Sequence, residues 1–305
     1  MSRYLLIFLS FVSALSPFLA RADAPLQPIA EIFEPEAPPH ADAYTKVAVI
    51  QWAPSGYAPL GDAAAVAAYK QNTREQLAAR IREAAENGAG LILTPEFGLV
   101  GYPDIAELPD AEDNFRNRDD IAPYVETIPG DNTAYFGKLA NELGVYIHVG
   151  MVEVDAKTNA YYNAAVALGP DGEIAASYRK MELFEAEHHF LSSGEGGSYY
   201  DAPFGRVGLL ICADVYSSEP IRGYVKNQVG VLALSTSWAR MNSGWGYFTR
   251  AAQSSAMFLL AANMPYYPDS GVINPDGTAQ SHIRQTRYGT AYGYIPNVAK
   301  TSKHR

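Results

Sequence analysis

The sequence predicts an α/β fold: one domain in which two layers of helix cover a sheet core. Three observations predict it. Short apolar runs alternate with helix-length stretches in the first half of the chain, and strand-like segments joined by tight turns dominate the second. No Pro/Gly/Ser-rich linker divides the body of the chain after residue 45. The composition, 48% hydrophobic and 18% charged over 305 residues, is that of a folded globular chain and excludes a wholly disordered one.

The elements follow in order. The folded body begins near Lys46, and residues 47–50 (VAVI) form an apolar run consistent with a buried strand. Residues 62–86 are Ala-rich with apolar positions at helical spacing, and Asn87-Gly88 is a helix stop. Residues 90–94 are a second buried strand, with Pro95-Glu96 at its C-terminal end. Residues 103–129 carry many acids, prolines and asparagines and read as a long loop over one rim. Residues 132–143 suit a helix closed by Gly144. Strands are expected at 145–154, 162–168 and 174–178, with Gly169-Pro170-Asp171-Gly172 turning between the last two. Residues 206–211 form a strand that ends directly at Cys212, and 229–234 another that ends at Ser235-Thr236-Ser237-Trp238. Helical spacing covers 249–260, and 259–264 pass into a strand. Asn274-Pro275-Asp276-Gly277 is a tight turn with strand-like flanks.

Charge and cysteine count narrow the function. The chain has 23 basic against 33 acidic residues, a net charge of -10. Such a surface repels phosphates and anionic headgroups, so no nucleic-acid partner and no stable membrane contact are expected. A single cysteine permits no intrachain disulfide and no cysteine-cluster zinc site.

The N-terminus reads as a targeting device. Arg3 precedes an apolar run over residues 5–20 that is short for a membrane span, and Ala20-Arg21-Ala22 is a small-x-small cleavage pattern. Residues 1–22 are therefore expected to be a cleaved signal peptide, 23–44 an extended leader and 45–305 the functional domain, in a periplasmic or secreted protein. A lone thiol in an oxidising compartment is either buried filler or a working group.

Three polar residues stand at the ends of apolar strands: Glu96, Lys180 and Cys212. Strand ends are where α/β proteins usually meet substrates. Each residue alone has an ordinary account, as a turn acid, a solvated edge lysine and a small buried hydrophobe. Together they form a complete acyl-transfer set. A cysteine nucleophile needs a base and a donor for the oxyanion, and a carboxylate and an ammonium supply both without histidine.

The residues around them match a family in identity and order. LILTPEFGLVGY resembles the glutamate motif of the nitrilase, or carbon–nitrogen hydrolase, superfamily, with Gly101-Tyr102 following Glu96. YYNAAVALGPDGEIAASYRKMELFEAE resembles the hairpin leading into its lysine motif at Lys180. GLLICADVYSSEP resembles the nucleophile motif at Cys212, with Asp214 two residues on and Glu219-Pro220 beyond. LALSTSW resembles the strand whose tryptophan, here Trp238, lies beside the pocket, and AANMPYYPDSGVINPDG a later asparagine and Ser-Gly stretch. The resemblance spans about residues 46 to 290 and implies an α-β-β-α sandwich.

Export, the C-x-D and acid-Pro pairs and the Tyr-Pro stretch are similar to the secreted vanin–biotinidase branch. The chain departs from that branch in lacking cysteines for its disulfides. It departs from many superfamily members in carrying Glu182 two after the lysine and Tyr216 four after the cysteine. Pantetheine or biotin-amide substrates therefore do not follow.

The resemblance implies a thiol-dependent amidase acting on a small-molecule amide, and a homo-oligomer, namely a dimer. It implies Glu96 as general base, Lys180 and the Ala213 backbone N–H as oxyanion donors, Tyr102 and Trp238 as substrate contacts, and a thiolate lowered in pKa by Lys180 and a following helix start. A second carboxylate, placing the lysine and the incoming water, is expected at Glu187, with Glu185 the runner-up. No metal or organic cofactor is required. His188-His189 diverge and read as a rim contact, and Gly194-Glu195-Gly196-Gly197 as a turn. Other outcomes on the same fold are an N-acyltransferase, a nitrilase acting on C≡N, and a non-catalytic binding protein.

Overall fold

Val47 and Val49 face one way from their strand and Ala48 and Ile50 the other, and all four are buried. A strand with two buried faces needs a covering layer on each side. The computed structural model, which describes residues 32–103, 115–238, 243–266 and 268–298, supplies both. The expected signal peptide and all of the leader before Ile32 lie outside the described residues.

Two sheets pack face to face. The first comprises β1 (Ile32–Phe33), β2 (Tyr44–Gln51), β3 (Leu91–Leu93), β4 (Tyr146–Val154), β5 (Tyr161–Leu168), β6 (Ile174–Arg179) and β13 (Gly289–Pro296). Its order is β1-β13-β2-β3-β4-β5-β6. The second comprises β7 (Tyr199–Ala202), β8 (Gly205–Ile211), β9 (Val229–Ser235), β10 (Phe258–Ala262), β11 (Ser270–Ile273) and β12 (Ala279–Ile283), in the order β12-β11-β10-β9-β8-β7. Each sheet has a parallel centre, β2-β3-β4 in one and β10-β9-β8 in the other, flanked by antiparallel neighbours.

Alternation along the strands builds three apolar layers. Val47, Val49, Leu91 and Leu93 meet Val207, Leu209, Ile211, Val231 and Leu260 between the sheets. Ala48, Ile50, Ile92 and Ile147 face outward onto α1 (Ala63–Glu86) and α3 (Asp131–Leu143), through Leu77, Ile81, Phe136 and Leu139. Leu210, Leu232, Leu234 and Leu259 face outward onto Tyr224 and Phe248, borne by α4 (Ser218–Lys226) and α5 (Trp245–Ser255). Helix, sheet, sheet, helix is the expected sandwich.

Local signals worked where a cap announced itself. The Asp62 carboxylate accepts from the N–H groups of Ala64 and Ala65 and starts α1, and Gly144 ends α3 in the left-handed conformation at φ 68°. Three expectations need correction. The rim segment is not wholly loop, since a short helix, α2 (Arg118–Ile121), and a 3-10 turn at Ala122–Tyr124 lie in it; residues 104–114 are outside the described set. The helix expected at 249–260 begins at Trp245 and stops at Ser255. Its start is marked by a remote group, the Asp269 carboxylate, which accepts from Trp245 N–H at 3.3 Å, and its end by Ala256 at φ 56°. Finally, Ile32–Phe33 of the leader is sheet, paired with β13, and Glu34 next to it bonds Lys46 Nζ at 2.7 Å.

Candidate active site

Glu96 sits in the turn that leaves β3. Thr94 seats that turn, bonding the His148 carbonyl through both its N–H and its hydroxyl, while its own carbonyl accepts from Ser235 Oγ of the second sheet at 2.8 Å. Phe97 takes the left-handed conformation (φ 52°) to turn the chain back, and the carboxylate is 2% exposed. The turn lies so close to β4 that a Cβ on Gly150 would stand 2.3 Å from the Pro95 carbonyl oxygen. Glycine is required there by space alone.

Lys180 follows β6. Its N–H bonds the Asn163 carbonyl of β5 at 2.8 Å, and its carbonyl accepts from Gly194 N–H at 2.8 Å. A side chain at 194 would collide with the Arg179 carbonyl, which gives the Gly-Glu-Gly-Gly turn a packing role. The ammonium is buried between two carboxylates, 2.7 Å from Glu96 Oε1 and 2.6 Å from Glu187 Oε2. Glu187 lies on the 3-10 turn Glu185–His189, whose N–H at Phe184 also bonds Glu187 Oε2 at 2.8 Å. Of the two acids named from sequence, Glu187 is the one brought in; Glu185 is exposed, at φ 41°, and its backbone makes the bend. His188 and His189 are both exposed.

Cys212 follows β8 and opens the 3-10 turn Cys212–Tyr216 with its backbone at φ 42°. A non-glycine residue in that region is strained by about 1 kcal/mol or more, and the turn that holds it is over-determined. Asp214, fully buried, accepts from Ile211 N–H at 2.9 Å, Tyr178 OH at 2.8 Å, Glu182 N–H at 2.9 Å and Met181 N–H at 3.2 Å. One side chain so ties the cysteine turn to the lysine segment of the other sheet.

The electrostatics correct one expectation. Burial, and after it the Glu96 charge, pushes the Cys212 thiol up to about 12, against the opposing pull of Lys180 and the Thr236 hydroxyl. The thiol rests protonated and does not have a lowered pKa. The turn after it is a 3-10 segment rather than an α-helix start, so the helix-terminus field invoked for it is not there. Burial also raises Glu96, and Glu187 adds to this; Lys180 and Asn163 oppose it. For Lys180 burial works against the charge, but Glu187 and Glu96 outweigh it and hold the ammonium well above the usual lysine range.

Tyr102 is buried, with its hydroxyl hydrogen-bonded to Ser237 Oγ and its ring 5.0 Å from Tyr266. Ser237 N–H in turn donates to Glu96 Oε2 at 2.8 Å. Ala213 is buried beside the nucleophile. Trp238 is 4% exposed and packs on Phe248, Tyr216 and Tyr247, its N–H bonded to Asn263 Oδ1. Sequence reasoning missed Asn163, whose amide reaches both carboxylates, and the anchoring role of Asp214. The available signal for Asn163 was one polar residue in an otherwise apolar strand, YYNAAVAL. Among the described residues no cluster of three metal-ligating side chains occurs.

The family model for carbon-nitrogen hydrolases matches residues 46–300. The chain belongs to the carbon–nitrogen hydrolase family. A nitrilase of Pyrococcus abyssi is 34% identical over 155 residues, covering 50% of this chain and 54% of its own length. Human omega-amidase NIT2 is 32% identical over 161 residues, covering 48% and 51%. The chain thus spans about half the length of the curated relatives it matches.

This hydrolase also resembles solved structures. Saccharomyces cerevisiae Nit3, a member of branch 10 of the nitrilase superfamily, superposes with a TM-score of 0.69 at 19% identity, covering 83% of this chain and 90% of that one. A cysteine-to-alanine mutant of an amidase from Nesterenkonia AN1 superposes with a TM-score of 0.67 at 18% identity, covering 86% and 93%. At these identities the likeness is one of fold.

Proposed function

We propose that this carbon–nitrogen hydrolase is an exported amidase that cleaves a non-peptide amide through a cysteine thioester. The observation that carries the reading is the buried Lys180 ammonium held between Glu96 and Glu187 beside the turn that bears the chain's one thiol. A protonated thiol needs a base, and Glu96 has an oxygen, Oε2, whose partner is a single backbone N–H of Ser237. In the proposed sequence Glu96 takes the Cys212 proton and the thiolate adds to the amide carbonyl. Lys180 Nζ, two of whose three protons go to carboxylates, directs the third at the oxyanion together with Ala213 N–H. Glu96 then hands its proton to the leaving amine, and the C–N bond breaks to leave a thioester. Water, deprotonated by the same carboxylate and placed by Glu187, adds to the thioester; the acid leaves and the thiol recovers its proton. Tyr102 and Trp238 shape the wall around the acyl group.

The finer parts of the proposal rest on sequence. Export, with cleavage after Ala22, rests on the apolar run and the Ala20-Arg21-Ala22 pattern. The vanin–biotinidase likeness rests on motif details, whereas the relatives named above are of the nitrilase and omega-amidase kind. A dimer follows from family resemblance. The deciding experiment incubates the purified protein with a panel of pantetheine, biotinyl, acyl-amino-acid and simple amides and follows release of amine or ammonia, with intact mass reporting the acyl-enzyme. Turnover of nitriles with no amide cleaved would overturn the amidase reading. A chain from its native host that still begins at Met1 in a membrane fraction would overturn the exported one.

A further inference from the structure

We infer that Asn163 is a positioning residue that sets the basicity of Glu96 by donating both amide hydrogens, one to each carboxylate of the site. The inference rests on the amidase reading for its purpose, though not for its geometry. Asn163 Nδ2 lies 2.7 Å from Glu96 Oε1 and 2.8 Å from Glu187 Oε1, and the residue is 1% exposed. The orientation of the amide is forced. Turned over, its carbonyl oxygen would face two carboxylates, and the amide would lose both bonds. Among the described residues the carbonyl Oδ1 has no hydrogen-bond partner, a buried polar atom left unsatisfied while the Nδ2 end serves the carboxylates.

Charge counting gives the reason for an amide at this place. Two carboxylates converge on one ammonium, which leaves a surplus of one negative charge in a buried space. Such a pair of carboxylates tends to capture a proton and share it. A second cation would cancel the surplus but leave Glu96 too weak a base for a buried thiol. An amide supplies two hydrogen-bond donors and no charge. Asn163 also fixes Lys180 from its other end, since its backbone carbonyl accepts the Lys180 N–H. One residue of β5 thereby holds the main chain of the lysine and the side chains of both its partners. The groups facing Glu96 are Lys180 from the end of β6, Glu187 from the 3-10 turn, Cys212 from the nucleophile turn and the Ser237 backbone N–H, while Asp214 feels the Lys180 charge. Replacing Asn163 by alanine leaves these charges unchanged in number and takes one donor from Glu96 and one from Glu187.

The test is the pH profile of Cys212 alkylation by iodoacetamide in the full chain, read by intact mass, which needs no knowledge of the substrate. The thiol and Glu96 share one proton, so the acid limb of this profile reports the first ionisation of the pair. Asn163→Ala should move the midpoint of that limb up by about one pH unit, with a plateau equal to or above that of the wild type. Asn163→Asp, which keeps the shape and sets a third carboxylate against the other two, should move the limb further in the same direction and tests the inference if the alanine variant fails to fold. A merely structural role would lower the plateau and leave the limb in place, and that result in either folded variant overturns the inference. The amidase reading fails separately, if the wild type alkylates with the expected profile yet releases no amine from any amide.

Discussion

The phenol of Tyr178 donates to Asp214 Oδ2 at 2.8 Å, and this bond crosses from the lysine strand of one sheet to the cysteine turn of the other. Both groups are buried, so the carboxylate has no water to replace a lost donor. Tyr178→Phe should lower stability at pH 7 by about 1.5–3 kcal/mol, the usual worth of a hydrogen bond to a charged group. Urea unfolding measures it; a change within about 0.5 kcal/mol would mean the bond carries no load.

Glu96→Gln separates the two tasks given to that residue. Burial keeps the thiol high, but loss of the Glu96 charge lets Lys180 pull it below about 12. Iodoacetamide should therefore still label Cys212, with an alkaline midpoint below that of the wild type. Amide turnover should fall by about two to four orders of magnitude, because the leaving amine receives no proton. Rates of ammonia or amine release within tenfold of wild type, or a stable acyl adduct formed at the normal rate, would remove Glu96 from the role of single base.

Lys180→Met should lower kcat by roughly two to three orders of magnitude, the loss typical of an oxyanion donor. Its effect on stability should depend on pH, with a definite sign. Glu96 already has a raised pKa, from burial and then Glu187, and removing Lys180 raises it further. A carboxylate raised in the folded state stabilises below its unfolded value of about 4.3 and loses that contribution as pH rises through the folded value. The gap in stability between wild type and Lys180→Met should thus be small near pH 4 to 5 and widen toward pH 8. Thermal unfolding across that range gives the answer, and a gap independent of pH contradicts the buried pairing.

Two glycines should respond in opposite directions. Gly150→Ala drives a methyl into the Pro95 carbonyl and the Glu96 backbone, with contacts of 2.3 and 3.0 Å. It should destabilise by about 1–3 kcal/mol and displace the base, lowering turnover more than tenfold. Gly223→Ala, inside α4 with open space around it, should stabilise by about 0.5–1 kcal/mol. Calorimetry on both variants is sufficient.

The strand-end residues were legible where the chain writes a buried strand as an apolar run, because a polar residue closing such a run stands out. Glu96 and Cys212 do so; Lys180 follows Ser177-Tyr178-Arg179 and is legible through the motif around it. Glu187 could not be parted from Glu185 by spacing, since a 3-10 turn with a left-handed residue has no periodicity to read. Asn163 is a single polar residue inside an otherwise apolar strand, and its partners are far off in sequence, so no local spacing marks it. β7 and β13 went unread for another reason. Residues 199–202 make a strand only four residues long after a glycine-rich stretch, and Gly289–Pro296 contains glycines and ends in proline, signals that usually argue against a strand. Pairing across the sheet overrides them, with β13 held along its whole length by β2.

The base and the lysine belong to one sheet and the nucleophile to the other, and a chain with only one sheet assembled has no working pair. An unfolded chain carries its thiol as an ordinary cysteine, with no carboxylate placed to accept its proton and no ammonium to steady its charge. Activation is a by-product of docking. The same seam that buries Leu93 and Ile211 delivers Glu96 to Cys212, so amide turnover, which needs base and thiol together, reports that both sheets have docked, whereas alkylation of the bare thiol does not.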